Sequence, residues 1–233
     1  MPKQKIVVIS GAGISAESGL ATFRDSGGLW EGYDINEVAS IQGWQKDPEN
    51  VQNFYNLRRK QAAEAHPNDA HKALADLEEH FEVSIVTQNV DDLHERGGST
   101  QVLHLHGELR KARSEEDESL VVDVGSESIA MGDLAEDGAQ LRPHVVWFGE
   151  MVPMMEPAAI EVSKADVLVV VGTSLVVYPA ASLIDYADAG IPKFIIDPSD
   201  PQLWDREGWT HFKENAGTGV NKLAEKLKNE YLQ

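Results

Sequence analysis

Six short runs of aliphatic and β-branched residues recur along the chain, at 5–10, 82–87, 101–105, 144–148, 166–171 and 193–197, with helix-forming stretches between them. Runs that are apolar at nearly every position, rather than at every second one, suit strands covered on both faces, which is the environment of a parallel sheet. The intervening stretches 47–65, 68–80, 157–164, 178–189 and 220–231 read as helices. Asp47 and Asn68 are N-cap residue types, Pro48 suits a first turn, and Gly190-Ile191-Pro192 supplies a stop. Strand alternating with helix predicts a doubly wound α/β sheet. Two stretches fall outside that alternation. Residues 31–66 are mostly helical, and 109–142 are polar and acidic with a weak strand signal at 120–124. Together they predict a smaller second lobe beside a main body of 1–30, 67–108 and 143–233.

Composition narrows the partners. With 42% hydrophobic and 25% charged residues over 233 positions, the chain can build one large domain with an appendage. The longest apolar runs, 167–171 and 145–148, fall far short of the roughly 18 residues a bilayer span needs. The first residues lack the apolar stretch and cleavage site of a secretory signal, so a cytoplasmic protein without membrane contact is expected. A net charge of −19 repels phosphate backbones, and nucleic acid is not an expected partner. The absence of cysteine removes disulfides, thiol nucleophiles and thiolate zinc sites. Residues 114–137 hold nine acidic residues (115–118, 123, 127, 133, 136 and 137) and no Lys or Arg, which reads as a solvated surface segment rather than a metal site.

The chemistry-bearing residues gather at strand ends. The first strand runs into Gly11-Ala12-Gly13-Ile14-Ser15-Ala16, a G-x-G-x-x-A pattern that lets a pyrophosphate approach backbone amides at a helix N-terminus. Taken alone, Gly11 and Gly13 are equally explained as turn glycines, because no acidic ribose ligand follows a second strand about 20 residues on. The run 22–30, with Phe23, Arg24 and Trp30 among glycines, suits neither helix nor strand and reads as a loop able to fold over a ligand. Gln88-Asn89-Val90-Asp91 follows one strand and His106 the next, where open α/β sheets bind ligands. Asn89 and Asp91 as helix caps, and His106 as an interior histidine, are the alternatives. Their arrival on the same rim as the glycine loop favours a site. Gly172-Thr173-Ser174 ends another strand on that rim.

Gly-Ala-Gly-Ile-Ser, Phe-Arg, Thr-Gln-Asn-Val-Asp, Leu-His-Gly, Val-Val-Trp-Phe-Gly-Glu and Gly-Thr-Ser-Leu occur here in the order of the sirtuin family, which the chain resembles over nearly its whole length. The resemblance implies a Rossmann-like domain with a small second lobe, and NAD-dependent removal of acyl groups from protein lysines with release of nicotinamide and 2′-O-acyl-ADP-ribose. It implies that Gly11, Ala12, Gly13, Ile14, Ala16, Phe23, Arg24, Trp30, Gln88, Asn89, Val90 and Asp91 hold NAD, with Asn89 and Asp91 at the nicotinamide and its ribose. Gly172, Thr173, Ser174, Asp197 and Ala216 would contact its phosphates, ribose and adenosine half. His106 would be the general base, taking a proton from a ribose hydroxyl. Val145, Val146, Trp147, Phe148, Gly149 and Glu150 would clamp the substrate backbone and line the acyl-lysine tunnel.

Within that resemblance, Tyr55 and Arg58 match the Tyr-x-x-Arg of sirtuins that remove succinyl, malonyl and glutaryl groups, and Ala39 matches the small residue of their enlarged pocket. A guanidinium forking onto an acyl carboxylate is the implied chemistry; an ordinary helical i, i+3 pair is the plain alternative. Family members mostly carry two Cys pairs between the catalytic His-Gly and the Leu-Arg-Pro segment to hold zinc, and here Ser114, Asp117, Leu134 and Asp137 align there. No zinc is expected. An NAD glycohydrolase or ADP-ribosyltransferase, and a non-catalytic NAD-sensing module, are the rival readings of the same residues.

Overall fold

The computed structural model describes residues 3–21, 29–30, 33–201 and 207–232. Its strands are β1 (Lys5–Ser10), β2 (Leu29–Trp30), β3 (Tyr33–Asp34), β4 (Glu82–Thr87), β5 (Val102–His104), β6 (Gly107–Ser114), β7 (Val121–Asp123), β8 (Leu141–Val145), β9 (Val167–Val171), β10 (Lys193–Ile196) and β11 (Trp209–Phe212). The α-helices are α1 (Ile35–Val38), α2 (Ile41–Lys46), α3 (Pro48–Glu64), α4 (Asp69–Asp76), α5 (Leu93–Gly97), α6 (Met155–Val162) and α7 (Ala216–Tyr231). Six strands form a parallel sheet in the order β11-β10-β9-β1-β4-β5.

The central strands are covered on both faces, as their unbroken apolar runs require. Ile6 and Val8 of β1 join Val167, Val169 and Val171 under α4 and α7. Val7 and Ile9 join Leu168 and Val170 under α6 and the 3₁₀ segment Ala180–Tyr186. Each such side chain removed from water contributes about 1.5–3 kcal/mol. Helix starts follow the expected caps: the Asp47 carboxylate accepts from the Asn50 amide at 3.0 Å, and Asn68 Oδ1 from the Ala70 amide at 2.9 Å.

One strand assignment is corrected. The run 144–148 does not enter the parallel sheet. Its first residues end β8, which pairs with β6 in a separate antiparallel sheet, β7-β6-β8. The sixth parallel strand is β11 instead, whose Trp-Thr-His-Phe lies at the sheet edge and carries no continuous apolar run. An edge strand needs less apolar cover than a central one, so its signal in the sequence is weak.

Helix α3 turns a 3.6-period stripe inward, with Val51, Phe54, Tyr55, Arg58, Arg59 and Ala62 buried. It shares a third apolar cluster with Val38, Trp44, Leu109 of β6, Val145 and Trp147. That packing places Tyr55 and Arg58, one helical turn apart, on the helix that lies against β6 and β8 of the small antiparallel sheet. Among the described residues no helix is long and apolar enough to cross a membrane.

Candidate active site

The C-terminal ends of β1, β4 and β9 open on one cavity of about 630 Å³, within the range of small-molecule sites. The glycine loop is stitched to the end of β9: the Gly11 amide donates to the Val171 carbonyl at 3.0 Å and the Gly13 amide to the Gly172 carbonyl at 2.8 Å. A Cβ at Gly13 would stand 2.7 Å from Gly172 Cα, and Gly172 itself lies at φ +63°, so both positions need glycine. The loop continues not as an α-helix but as two 3₁₀ turns, Ala12–Ile14 and Ala16–Ser18, stopped by Gly19 in the left-handed region. The expected strand-to-helix turn is therefore a tighter one, which presents backbone amides without a long helix behind them.

The polar group at the end of β4 is wired to this loop. Asn89 Nδ2 donates to Ser15 Oγ at 3.1 Å, and Ser15 Oγ donates to Asp91 Oδ2 at 3.2 Å. Gln88 Nε2 donates to Thr173 Oγ1 at 3.2 Å, tying β4 to β9 across β1. Burial raises the Asp91 carboxyl above its ordinary range, against the Leu93 amide and the Ser15 hydroxyl, which favour its charged form. Ser15 also lines the cavity, and no residue-type signal in the sequence sets it apart. It sits inside the glycine motif, and only the fold shows that it bridges Asn89 and Asp91.

His106 and His104 lie two residues apart in opposite electrostatic settings. His106 Nδ1 is 3.0 Å from the Gln88 carbonyl oxygen. A carbonyl only accepts, so Nδ1 carries the hydrogen and Nε2 keeps its lone pair. Burial lowers the His106 pKa, partly offset by that hydrogen bond. His104 has carbonyl and carboxylate neighbours, Asn89 O at 3.0 Å and Glu95 Oε1 at 2.8 Å. Although burial opposes the charged form, Glu95 raises the His104 pKa. His104 thereby supports the 88–91 loop from behind, a role without a motif to announce it.

The segment after β8 forms the opposite wall. The Val146 amide donates to the His106 carbonyl at 2.9 Å and the Phe148 amide to the Ala39 carbonyl at 2.9 Å. Ala39, Tyr55 and Arg58 line the same cavity as His106. So do Gly11, Ala12, Gly13, Ala16, residues 88–91, 145–150 and 172–174, Asp197 and Ala216. Ile14 does not; its side chain is fully buried in the core under α4 and α7. Phe23 and Arg24 lie outside the described residues, and Trp30 is described by its backbone alone. Val177, Ser199 and Asn215 also line the cavity, and no motif marks them.

The four positions where zinc thiolates would stand do not fit the metal. Ser114 Oγ donates to Asp137 Oδ2 at 2.6 Å and accepts from the Glu116 and Asp117 amides at 3.1 and 3.2 Å. Leu134 pairs with Gln140 as an isolated bridge. A hydroxyl, two carboxylates and an aliphatic side chain are not a structural zinc set, and the segment is closed by these hydrogen bonds.

Glycine amides at one strand end, an amide–carboxylate–imidazole group at the next two, and a cavity of this size define an α/β protein with a nucleotide-sized cleft. The chain belongs to the Sir2 family, which it matches over residues 11–179. It is similar to an NAD-dependent protein deacylase of Helicobacter pylori, 53% identical over 224 residues that cover 96% of this chain and 95% of that protein. An NAD-dependent protein deacylase of Bacteroides thetaiotaomicron is 48% identical over 229 residues, covering 96% and 98%. Among solved structures, a Sir2 homologue in complex with NAD is 39% identical with a TM-score of 0.87, covering 97% of this chain and 90% of that one. A Sir2 protein with a deacetylated p53 peptide and 3′-O-acetyl-ADP-ribose is 28% identical with a TM-score of 0.79, covering 98% and 94%.

Proposed function

We infer that this chain is an NAD-dependent protein-lysine deacylase whose acyl pocket is built for short acidic groups such as succinyl, malonyl and glutaryl. The observation that carries the acyl preference is Arg58, a guanidinium only 7% exposed that lines the cavity beside Tyr55 and Ala39. A cation held in a desolvated wall favours an anionic acyl terminus and disfavours an apolar one. Ala39, through its bond to Phe148, keeps the neighbouring wall close while its methyl side chain leaves room.

NAD, when bound, supplies an activated ribose that the acyl oxygen can attack as nicotinamide leaves. The stitched loop at Gly11, Gly13 and Gly172 offers amides and close approach to its phosphates. Gln88 and Thr173 brace the two strand ends it would span. Asn89 uses one amide hydrogen on Ser15 and retains Oδ1 as an acceptor. His106 presents an unprotonated Nε2, able to take a proton from a ribose hydroxyl. The backbone of 145–150 lines the cavity wall beyond β8, where the substrate peptide would be clamped.

The experiment compares succinyl-, glutaryl- and acetyl-lysine versions of one peptide, with NAD, by mass spectrometry. Acidic acyl groups are expected to turn over with the higher kcat/KM, and O-acyl-ADP-ribose to accumulate. In Arg58→Met the succinyl-to-acetyl ratio should invert, because an unpaired buried carboxylate costs several kcal/mol. Equal losses on both substrates would reduce Arg58 to a structural helix residue, and nicotinamide release without O-acyl-ADP-ribose would point to a glycohydrolase or transferase.

A further inference from the structure

The indole Nε1 of Trp147 donates to the Tyr55 hydroxyl oxygen at 3.1 Å, and the two side chains are 2% and 1% exposed. Indole nitrogen is a donor only, so this hydrogen bond cannot reverse its direction. The Tyr55 oxygen is held as an acceptor, and its own hydrogen must point elsewhere. Among the described residues nothing accepts that hydrogen, and Tyr55 lines the cavity together with Arg58. Burial pushes the phenol pKa up, against the Trp147 bond and the nearby cations, so the O–H stays protonated.

Trp147 is itself clamped. Its backbone amide donates to Glu150 Oε2 at 2.7 Å. The Glu150 carboxylate also takes Arg142 Nη1 at 2.7 Å and Arg113 Nη2 at 3.2 Å. The Arg142 guanidinium carbon sits 3.3 Å from the centroid of the Trp147 ring, and Trp44 packs nearby with its ring centroid 5.5 Å away. With its backbone amide bonded and its ring set between Arg142 and Trp44, the indole is held in this orientation.

We propose that Trp147 is a positioning residue for acyl selectivity: by occupying the Tyr55 oxygen, it makes the Tyr55 hydroxyl an obligate donor into the acyl pocket, which then accepts a terminal carboxylate and rejects its carboxamide isostere. The inference rests on the acidic-acyl reading. A carboxylate offers only acceptors to the two donors, Tyr55 and Arg58. The NH₂ of a carboxamide would face those donors with no acceptor, and a buried donor left unmatched is disfavoured. A tyrosine free to rotate could accept from that NH₂, and Trp147 removes the freedom.

The test measures kcat/KM for succinyl-lysine, its terminal carboxamide analogue and acetyl-lysine in one peptide, for the unaltered protein, Trp147→Phe, Tyr55→Phe and the double variant. Trp147→Phe is expected to lower the succinyl-to-carboxamide ratio by about fivefold, the worth of one neutral hydrogen bond. In the Tyr55→Phe background the same change should leave the ratio where it is, because the effect runs through the hydroxyl. Melting curves accompany each variant. Arg142→Lys, which keeps a cation on Glu150 but loses the planar stack on the indole, should shift the ratio in the same direction should Trp147→Phe fold poorly. A ratio unmoved in both variants, or moved equally with and without the Tyr55 hydroxyl, overturns the role of Trp147. An unaltered protein with no succinyl-over-acetyl preference instead rejects the acidic-acyl reading, and the role of Trp147 with it.

Discussion

The Nδ1 of His106 lies 3.0 Å from the main-chain carbonyl oxygen of Gln88, so the loop that follows β4 decides which nitrogen of His106 is free. Gln88 belongs to the same four-residue group that carries Asn89 and Asp91. One turn of backbone thus sets the tautomer of His106 and the position of two further residues that line the cavity.

His106→Ala is expected to lower the rate of deacylation by about 10²–10⁴-fold, the usual worth of a positioned base, with NAD affinity far less affected. The pH profile has a definite sign. The base works when neutral, and burial lowers its pKa below 6.5. The kcat/KM should therefore be flat through neutrality and fall only on the acid side, below pH 6.5. Near-normal turnover in His106→Ala, measured by nicotinamide release, would remove His106 from the mechanism.

Acid stability should depend on a second histidine pair. His71 and His94 pack edge to face with ring centroids 4.9 Å apart, and His94 Nε2 lies 2.9 Å from Ser10 Oγ. Burial lowers His71 to about 4, and burial followed by neighbouring histidines lowers His94 well below its ordinary value. The unfolded chain binds protons on both near pH 6.5 and the folded chain does not, so this stability is present above 6.5 and is lost as pH falls toward 4. For His71 alone the loss is on the order of 3 kcal/mol. Melting temperatures recorded from pH 7 to pH 4 check it, and a flat profile across that window would contradict the neutral, buried pair.

Chelation is expected to leave both melting temperature and activity unchanged, since Ser114 and Asp137 close the segment by hydrogen bonds. Ser114→Ala removes the bond to Asp137 and the acceptor for two amides, and should destabilise the protein by about 1–3 kcal/mol. Calorimetry with and without a chelator, beside metal analysis, is the measurement. Stoichiometric zinc with unfolding on its removal would overturn this account.

Much of this was legible along the chain. The unbroken runs of β1, β4 and β9 are readable because a strand buried on both faces can tolerate few polar residues. The caps at Asp47 and Asn68 are readable because they act within three residues of themselves. Strand β11 and the fate of 144–148 were not. An edge strand resembles a loop in composition, and Val145 and Trp147 are apolar for a different reason: they pack on α3 in the third cluster.

The sequence by itself determined the parallel α/β sheet, the glycine loop and the order of the motifs, because these rest on local periodicity and on residue types that act near their own position. Tertiary structure alone decided that Ser15 bridges Asn89 and Asp91, that Ile14 turns into the core, that Gln88 holds the His106 tautomer and that Trp147 holds the Tyr55 hydroxyl. Each of these joins residues brought together across the fold, such as Tyr55 and Trp147, 92 positions apart. A hydrogen bond's direction depends on where the partner's hydrogens and lone pairs point, and that is set by packing rather than by residue type.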